Sequence, residues 1–99
     1  MITVIAKLQA GEGKADELRA VLEEMIANVK QHEAGQAVTY SLHTTSEDAS
    51  LFMFYEQYAS EAAFAAHGQT DHMKAFGAKL GGLIGGRPVI ERYTQIAGV

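Results

Sequence analysis

The run Leu51-Phe52-Met53-Phe54-Tyr55-Glu56-Gln57-Tyr58 constrains this chain more than any other segment. Large apolar and aromatic residues crowd it, the composition of an extended strand. Successive side chains of a strand point to opposite faces, so Leu51, Met53 and Tyr55 share one side while Phe52, Phe54 and Tyr58 share the other. Each such side chain left in water forfeits roughly 1.5–3 kcal/mol. The strand therefore belongs inside a sheet that is covered on both faces.

The flanking segments supply the rest of that sheet and one of its covers. Met1 to Leu8 reads as a strand closed by Gly11 and Gly13. Leu18, Val21, Leu22, Met25, Ile26 and Val29 then recur at helical spacing, with Glu17, Glu23, Glu24 and Lys30 on the wet side. Gly35 breaks the chain before a second strand, Ala37 to Thr45, and Ser46-Glu47-Asp48 provides a turn. After the aromatic strand, Ser60 is suited to cap a short helix with Glu61 in its first turn. Gly68 interrupts that helix. Thr70 can cap another, carrying Met73, Phe76, Leu80, Leu83 and Ile84, whose end Gly81-Gly82 and Gly85-Gly86 loosen. Arg87 to Ile96 is the last strand, with Pro88 at its start.

The order is βαββαβ, which predicts an α+β, ferredoxin-like fold with an antiparallel four-stranded sheet, residues 1–99 forming a single domain. The first and third strands are expected as central neighbours, running parallel to each other. Two helical segments can cover one face only, so a second copy is expected to shield the other as a homodimer.

Composition removes several function classes. A net charge of -4, with 8 scattered Lys and Arg residues, argues against nucleic acid. There is no cysteine, hence no disulfide and no thiolate nucleophile. No apolar run reaches membrane-spanning length and Met1-Ile2-Thr3-Val4 lacks a signal-peptide layout, so a cytoplasmic chain with no membrane partner is expected.

The chain has 4 histidines, and two of them, His67 and His72, bracket the break at Gly68-Gln69. On one continuous helix they would point about 140° apart, whereas a break lets both turn toward one cavity. Imidazole titrates near pH 6.5, which suits proton abstraction from a phenol or enol; each could equally cap a helix or satisfy a buried contact. Glu56 is an unusual carboxylate in an aromatic strand. It could orient a histidine, act as a base if buried, or pair across strands with Lys7. Tyr40, Phe54, Tyr58, Phe64, Phe76 and Tyr93 could line a pocket for a flat ring. The glycine pairs follow a helix and so cannot form a phosphate-binding loop. A metal site from His67, His72 and Glu56 matches no established spacing, and none is expected.

Three stretches taken together resemble the antibiotic biosynthesis monooxygenase (ABM) family. These are Phe54-Tyr55-Glu56-Gln57-Tyr58-Ala59-Ser60, Ala63-Phe64-Ala65-Ala66-His67 and Thr70-Asp71-His72-Met73-Lys74-Ala75-Phe76. Thr3-Val4-Ile5-Ala6 and the turn Glu33-Ala34-Gly35 also fit. The resemblance implies a dimeric α/β barrel and a family of oxygenases, haem-degrading enzymes and an isomerase of a phosphorylated signal. Ala6 and His67 stand where the haem branch places asparagine and tryptophan, which argues against that branch. Gly35 and Tyr40 lie one residue farther apart than is usual, suggesting a bulge.

The resemblance implies oxidation of a quinol or similar phenol by O2 without metal, flavin or other cofactor. His67 or His72 would be the base and Glu56 its partner, with Tyr40, Phe54, Tyr58, Phe64, Met73 and Phe76 holding a small aromatic substrate. The alternatives are an isomerase of a small hydroxyketone, whose phosphate Lys74, Lys79 or Arg87 could meet, and a non-catalytic binding or stress-response module.

Overall fold

The computed structural model describes residues 1–99. Its elements are β1 (Ile2–Gln9), α1 (Ala15–His32), β2 (Ala37–Thr45), β3 (Asp48–Tyr58), α2 (Glu61–Gly68), α3 (Asp71–Leu80) and β4 (Val89–Thr94). Strand β3 begins earlier than expected because Thr45 already pairs with Asp48, so only Ser46 and Glu47 form the hairpin loop. Strand β4 is shorter than the sequence suggests at both ends. No helix is long and apolar enough to cross a membrane.

The strands are ordered β2-β3-β1-β4, and every neighbouring pair is antiparallel. The expected parallel pairing of β1 with β3 is thus corrected. Helix α1 returns the chain so that β2 runs with β1, and the hairpin then reverses β3. Register also removes the pair of Lys7 with Glu56: Val4 lies opposite Glu56, while Lys7 lies opposite Met53 and meets Glu91 at 3.6 Å.

One face of the sheet is packed. Ile2, Val4, Ala6 and Leu8 of β1 and Phe52, Phe54, Glu56 and Tyr58 of β3 are all buried there. Helix α1 contributes Leu18, Leu22, Met25 and Val29, the inner part of its predicted stripe. The core splits into a large cluster around Phe52, Phe54, Phe76 and α1, and a smaller one of Ile2, Val4, Tyr58 and Ala63. Glu56 falls between them. The opposite face is less greasy than expected: Ile5, Leu51, Met53 and Tyr55 are half-covered and stand among Lys7, His43 and Gln57.

The suspected bulge is present. Ala37 pairs with Tyr58 and Thr39 with Gln57, leaving Val38 without a partner. The bulge absorbs the extra residue, so Tyr40 lies opposite Glu56 on the packed face.

Candidate active site

Three backbone devices fix the polar centre of the molecule. Glu33 caps the end of α1, where its N–H donates to the Val29 carbonyl at 2.9 Å. Its own carbonyl accepts from Gln36 and Ala37 at 3.1 and 3.0 Å. Gly35, at a φ of 85°, permits that tight turn. His67 sits in the last turn of α2, a helix capped by Ser60, whose hydroxyl accepts from the Ala63 N–H as expected. Thr70 joins α2 to α3: its hydroxyl donates to the His67 carbonyl at 2.9 Å and accepts from the Met73 N–H at 3.2 Å. The break between the helices is therefore built, and it sets the relation of His67 to His72.

Both imidazoles converge on one carboxylate, and it is Glu33. Its oxygens lie 2.9 and 3.0 Å from His67 Nδ1, and one of them lies 2.5 Å from His72 Nε2. Glu33 and His67 are buried, and His72 is nearly so, its ring stacked on His32 with centroids 5.5 Å apart. Glu56, expected to orient a histidine, instead accepts a 2.5 Å hydrogen bond from the Tyr58 hydroxyl. The strand geometry explains this, since residues two apart on β3 share a face. Burial pushes the Glu56 carboxyl up from 4.5 to about 7; the Tyr58 bond opposes the rise and the Glu33 charge adds to it. The Tyr40 and Tyr58 hydroxyls are held protonated, first by burial and then by the nearby carboxylates.

A cavity of about 400 Å³ lies between the two core clusters, under α2 and α3 and over β1 and β3. Its walls are mostly apolar and include Tyr40, Phe54, Phe64, Met73 and Phe76, with Glu56 and His67 as the ionisable groups. No helix packs extensively on β4, which leaves the cavity open beside Ile90 and Pro88. Arg92 spans that side, pairing with Glu61 and lying 5.3 Å from the centroid of Phe64. His67 Nδ1 is taken by Glu33, and Nε2 makes no hydrogen bond to protein. No buried side-chain nitrogen or oxygen lacks a partner, so Nε2 opens onto free space.

Of the expected catalytic and ring-holding residues, seven line this cavity, and Tyr58 and His72 do not. Tyr58 lies behind Glu56, its ring 5.2 Å from that of His67. His72 is on the far side of Glu33 and faces a polar hollow with His32, Gln69, Thr70 and Asp71. It reaches the cavity only through Glu33 and His67. Tyr93 is exposed on the outer face, bonded to Glu91. Lys74, Lys79 and Arg87 do not line the cavity, and Lys79 is paired with Glu24 on α1.

A family model described as antibiotic biosynthesis monooxygenase matches residues 1–79. The chain belongs to the antibiotic biosynthesis monooxygenase family. Among solved structures, this ABM chain is similar to a Caulobacter crescentus protein provisionally named an antibiotic biosynthesis monooxygenase. The two share 35% identity over 97% of this chain and 90% of that one, with a TM-score of 0.89. A Pseudomonas aeruginosa protein is 29% identical over 97% of this chain and 94% of that one, with a TM-score of 0.87. A Mycobacterium tuberculosis protein at 21% identity, covering 98% of this chain and 96% of that one at a TM-score of 0.89, shares the fold. No functionally curated protein matches. Family and neighbours together support a general, monooxygenase-like role toward a small molecule for this ABM protein.

Sequence reasoning missed Glu33 as a site residue of the ABM chain. It stood in plain view in the turn Glu33-Ala34-Gly35, but nothing local distinguishes it from the acidic residues of the preceding helix. Its partners lie 34 and 39 residues away in sequence.

Proposed function

We propose that this protein is a cofactor-independent monooxygenase that oxidises a quinol or similar electron-rich phenol with O2. The observation that carries this reading is His67: one ring nitrogen donates to a buried carboxylate and the other opens on an apolar cavity large enough for one substituted ring. Glu33 holds the imidazole in the tautomer whose Nε2 lone pair accepts a proton. Abstraction of a phenolic proton yields an electron-rich anion. That anion reduces O2 and combines with it at a ring carbon; loss of water from the hydroperoxide leaves a hydroxyquinone. One oxygen atom thus enters the ring and the other leaves as water. The apolar walls shield the intermediate from water except at the side open beside Ile90 and Pro88. Tyr40, Phe54, Phe64, Met73 and Phe76 are the ring-holding residues in this scheme, and Glu33 is a positioning residue.

The isomerase alternative uses the same base. A phosphorylated substrate finds no free cation on the cavity wall, so the geometry favours the phenol.

Oxygen uptake with a panel of reduced quinols tests the proposal. His67→Ala is expected to lower the rate by 10²–10⁴, the usual contribution of a positioned base. Wild-type protein that consumes no oxygen with any of them refutes it. Exchange of a substrate proton with deuterated solvent, in the absence of oxygen uptake, would assign the isomerase instead.

A further inference from the structure

We propose that Glu33, His67 and His72 form a binding site for a zinc-type divalent cation, and that the ion acts as an off-switch for His67. Two imidazole nitrogens and a carboxylate oxygen are a recurrent zinc ligand set. Here the three donor atoms all lie within 4.8 Å of one another. An ion with bonds of about 2.0–2.1 Å needs its donors roughly 3.3 Å apart in a tetrahedral arrangement. The contacts of the two imidazoles with their shared Glu33 oxygen, 3.0 and 2.5 Å, would have to spread by less than an ångström, and the two ring nitrogens lie within 4.8 Å of each other.

The donors are also held in place. Glu33 is pinned by three backbone hydrogen bonds, His67 is fixed by the end of α2, and His72 is restrained by its stack on His32. Access comes from the side opposite the apolar cavity. There His72 faces a hollow bounded only by polar residues, with the Asp71 carboxylate on its rim.

The consequence for the cavity follows from imidazole chemistry, and this part rests on the reading of His67 as base. Without an ion, Nδ1 carries the proton and donates to Glu33, so Nε2 can accept. A cation on Nδ1 takes that lone pair, and the neutral ring must then carry its proton on Nε2. The nitrogen facing the cavity changes from acceptor to donor. The ion would thus switch off the base without entering the substrate cavity.

The test uses the full chain, free of any affinity tag and stripped by chelator. Equilibrium dialysis against zinc is expected to give one ion per chain. Cobalt substitution should give the visible absorption of a tetrahedral site. Nitrogen NMR of the His67 ring should show the proton moving from Nδ1 to Nε2 on addition of zinc. Glu33→Gln and His72→Gln are each expected to weaken binding at least tenfold, while His43→Ala leaves it unchanged. Since His72 is partly exposed, His72→Gln decides the matter if Glu33→Gln fails to fold. Affinity unaffected by His72→Gln, or no retained ion, overturns the site. If zinc binds and moves the proton but oxygen uptake persists, the off-switch falls along with His67 as base, and the cation site stands. A metal-free protein without oxygenase activity defeats the functional reading alone, because dialysis and NMR still decide the site.

Discussion

Glu56 is the residue at which the alternation of β3 departs from its own rule. Phe52, Phe54 and Tyr58 occupy the buried face at every other position, and the carboxylate takes the remaining slot. Its carboxyl is raised from 4.5 to about 7, chiefly by burial, so the folded protein holds a proton there that the unfolded chain has already released. Stability from this group is therefore greatest at or below about pH 4.5 and declines as pH rises to about 7, by on the order of 3 kcal/mol. Glu56→Gln still offers Tyr58 an acceptor and cannot ionise. Urea midpoints at pH 5 and pH 8 should consequently differ less in the variant than in the wild type. An unchanged difference would place the titration elsewhere. The aromatic cavity residues were legible one by one because each sits in a strongly patterned segment. Glu33 was not, because a meeting of three side chains, from the cap of α1, from α2 and from α3, leaves no local spacing to read.

At the scale of elements, capping chemistry proved the most readable signal. Ser60 and Thr70 both act as their positions suggest, and the break at Gly68 lies between them. The direction of β1 against β3 was misread although the element order carries it, since α1 returns the chain so that β2 runs with β1 and the hairpin then reverses β3. Thr70 does more than cap α3: it also bonds the His67 carbonyl and so ties the two helices together. Thr70→Ala is expected to cost about 1–2 kcal/mol of stability, read by urea unfolding. It should also broaden the His67 and His72 ring signals in NMR. A loss of stability with unchanged signals would confine Thr70 to capping.

The whole molecule is a slab of 37 × 29 × 20 Å, one sheet with helices on one side. Its accessible surface of 6192 Å² exceeds the roughly 5,500 Å² usual for a folded chain of this mass. The excess is comparable to the roughly 800 Å² that each partner gives up in a standard interface. Half-covered Ile5, Leu51, Met53 and Tyr55 on the helix-free face are the natural place for it. A twofold pair stacked through this face is expected, with sedimentation giving twice the 10.7 kDa chain mass at micromolar concentration. Tyr55→Glu should shift it toward monomer. A folded wild-type monomer under the same conditions contradicts the pairing.

The unpaired Val38 gives β2 a built-in slack. Ladder contacts on either side of it are already those of a regular strand, Ala37 with Tyr58 and Thr39 with Gln57. Removing Val38 should therefore let the strand close without moving its ends, leaving the Tyr40 phenol over Glu56 and Glu33 beside His67. Deletions inside central sheets usually flip every later side chain to the wrong face. Here a one-residue deletion is expected to preserve the fold, and unchanged His67 ring signals would confirm it. Sequence length between the α1 turn and Tyr40 is thus free to vary by one residue in evolution at no cost to the cavity.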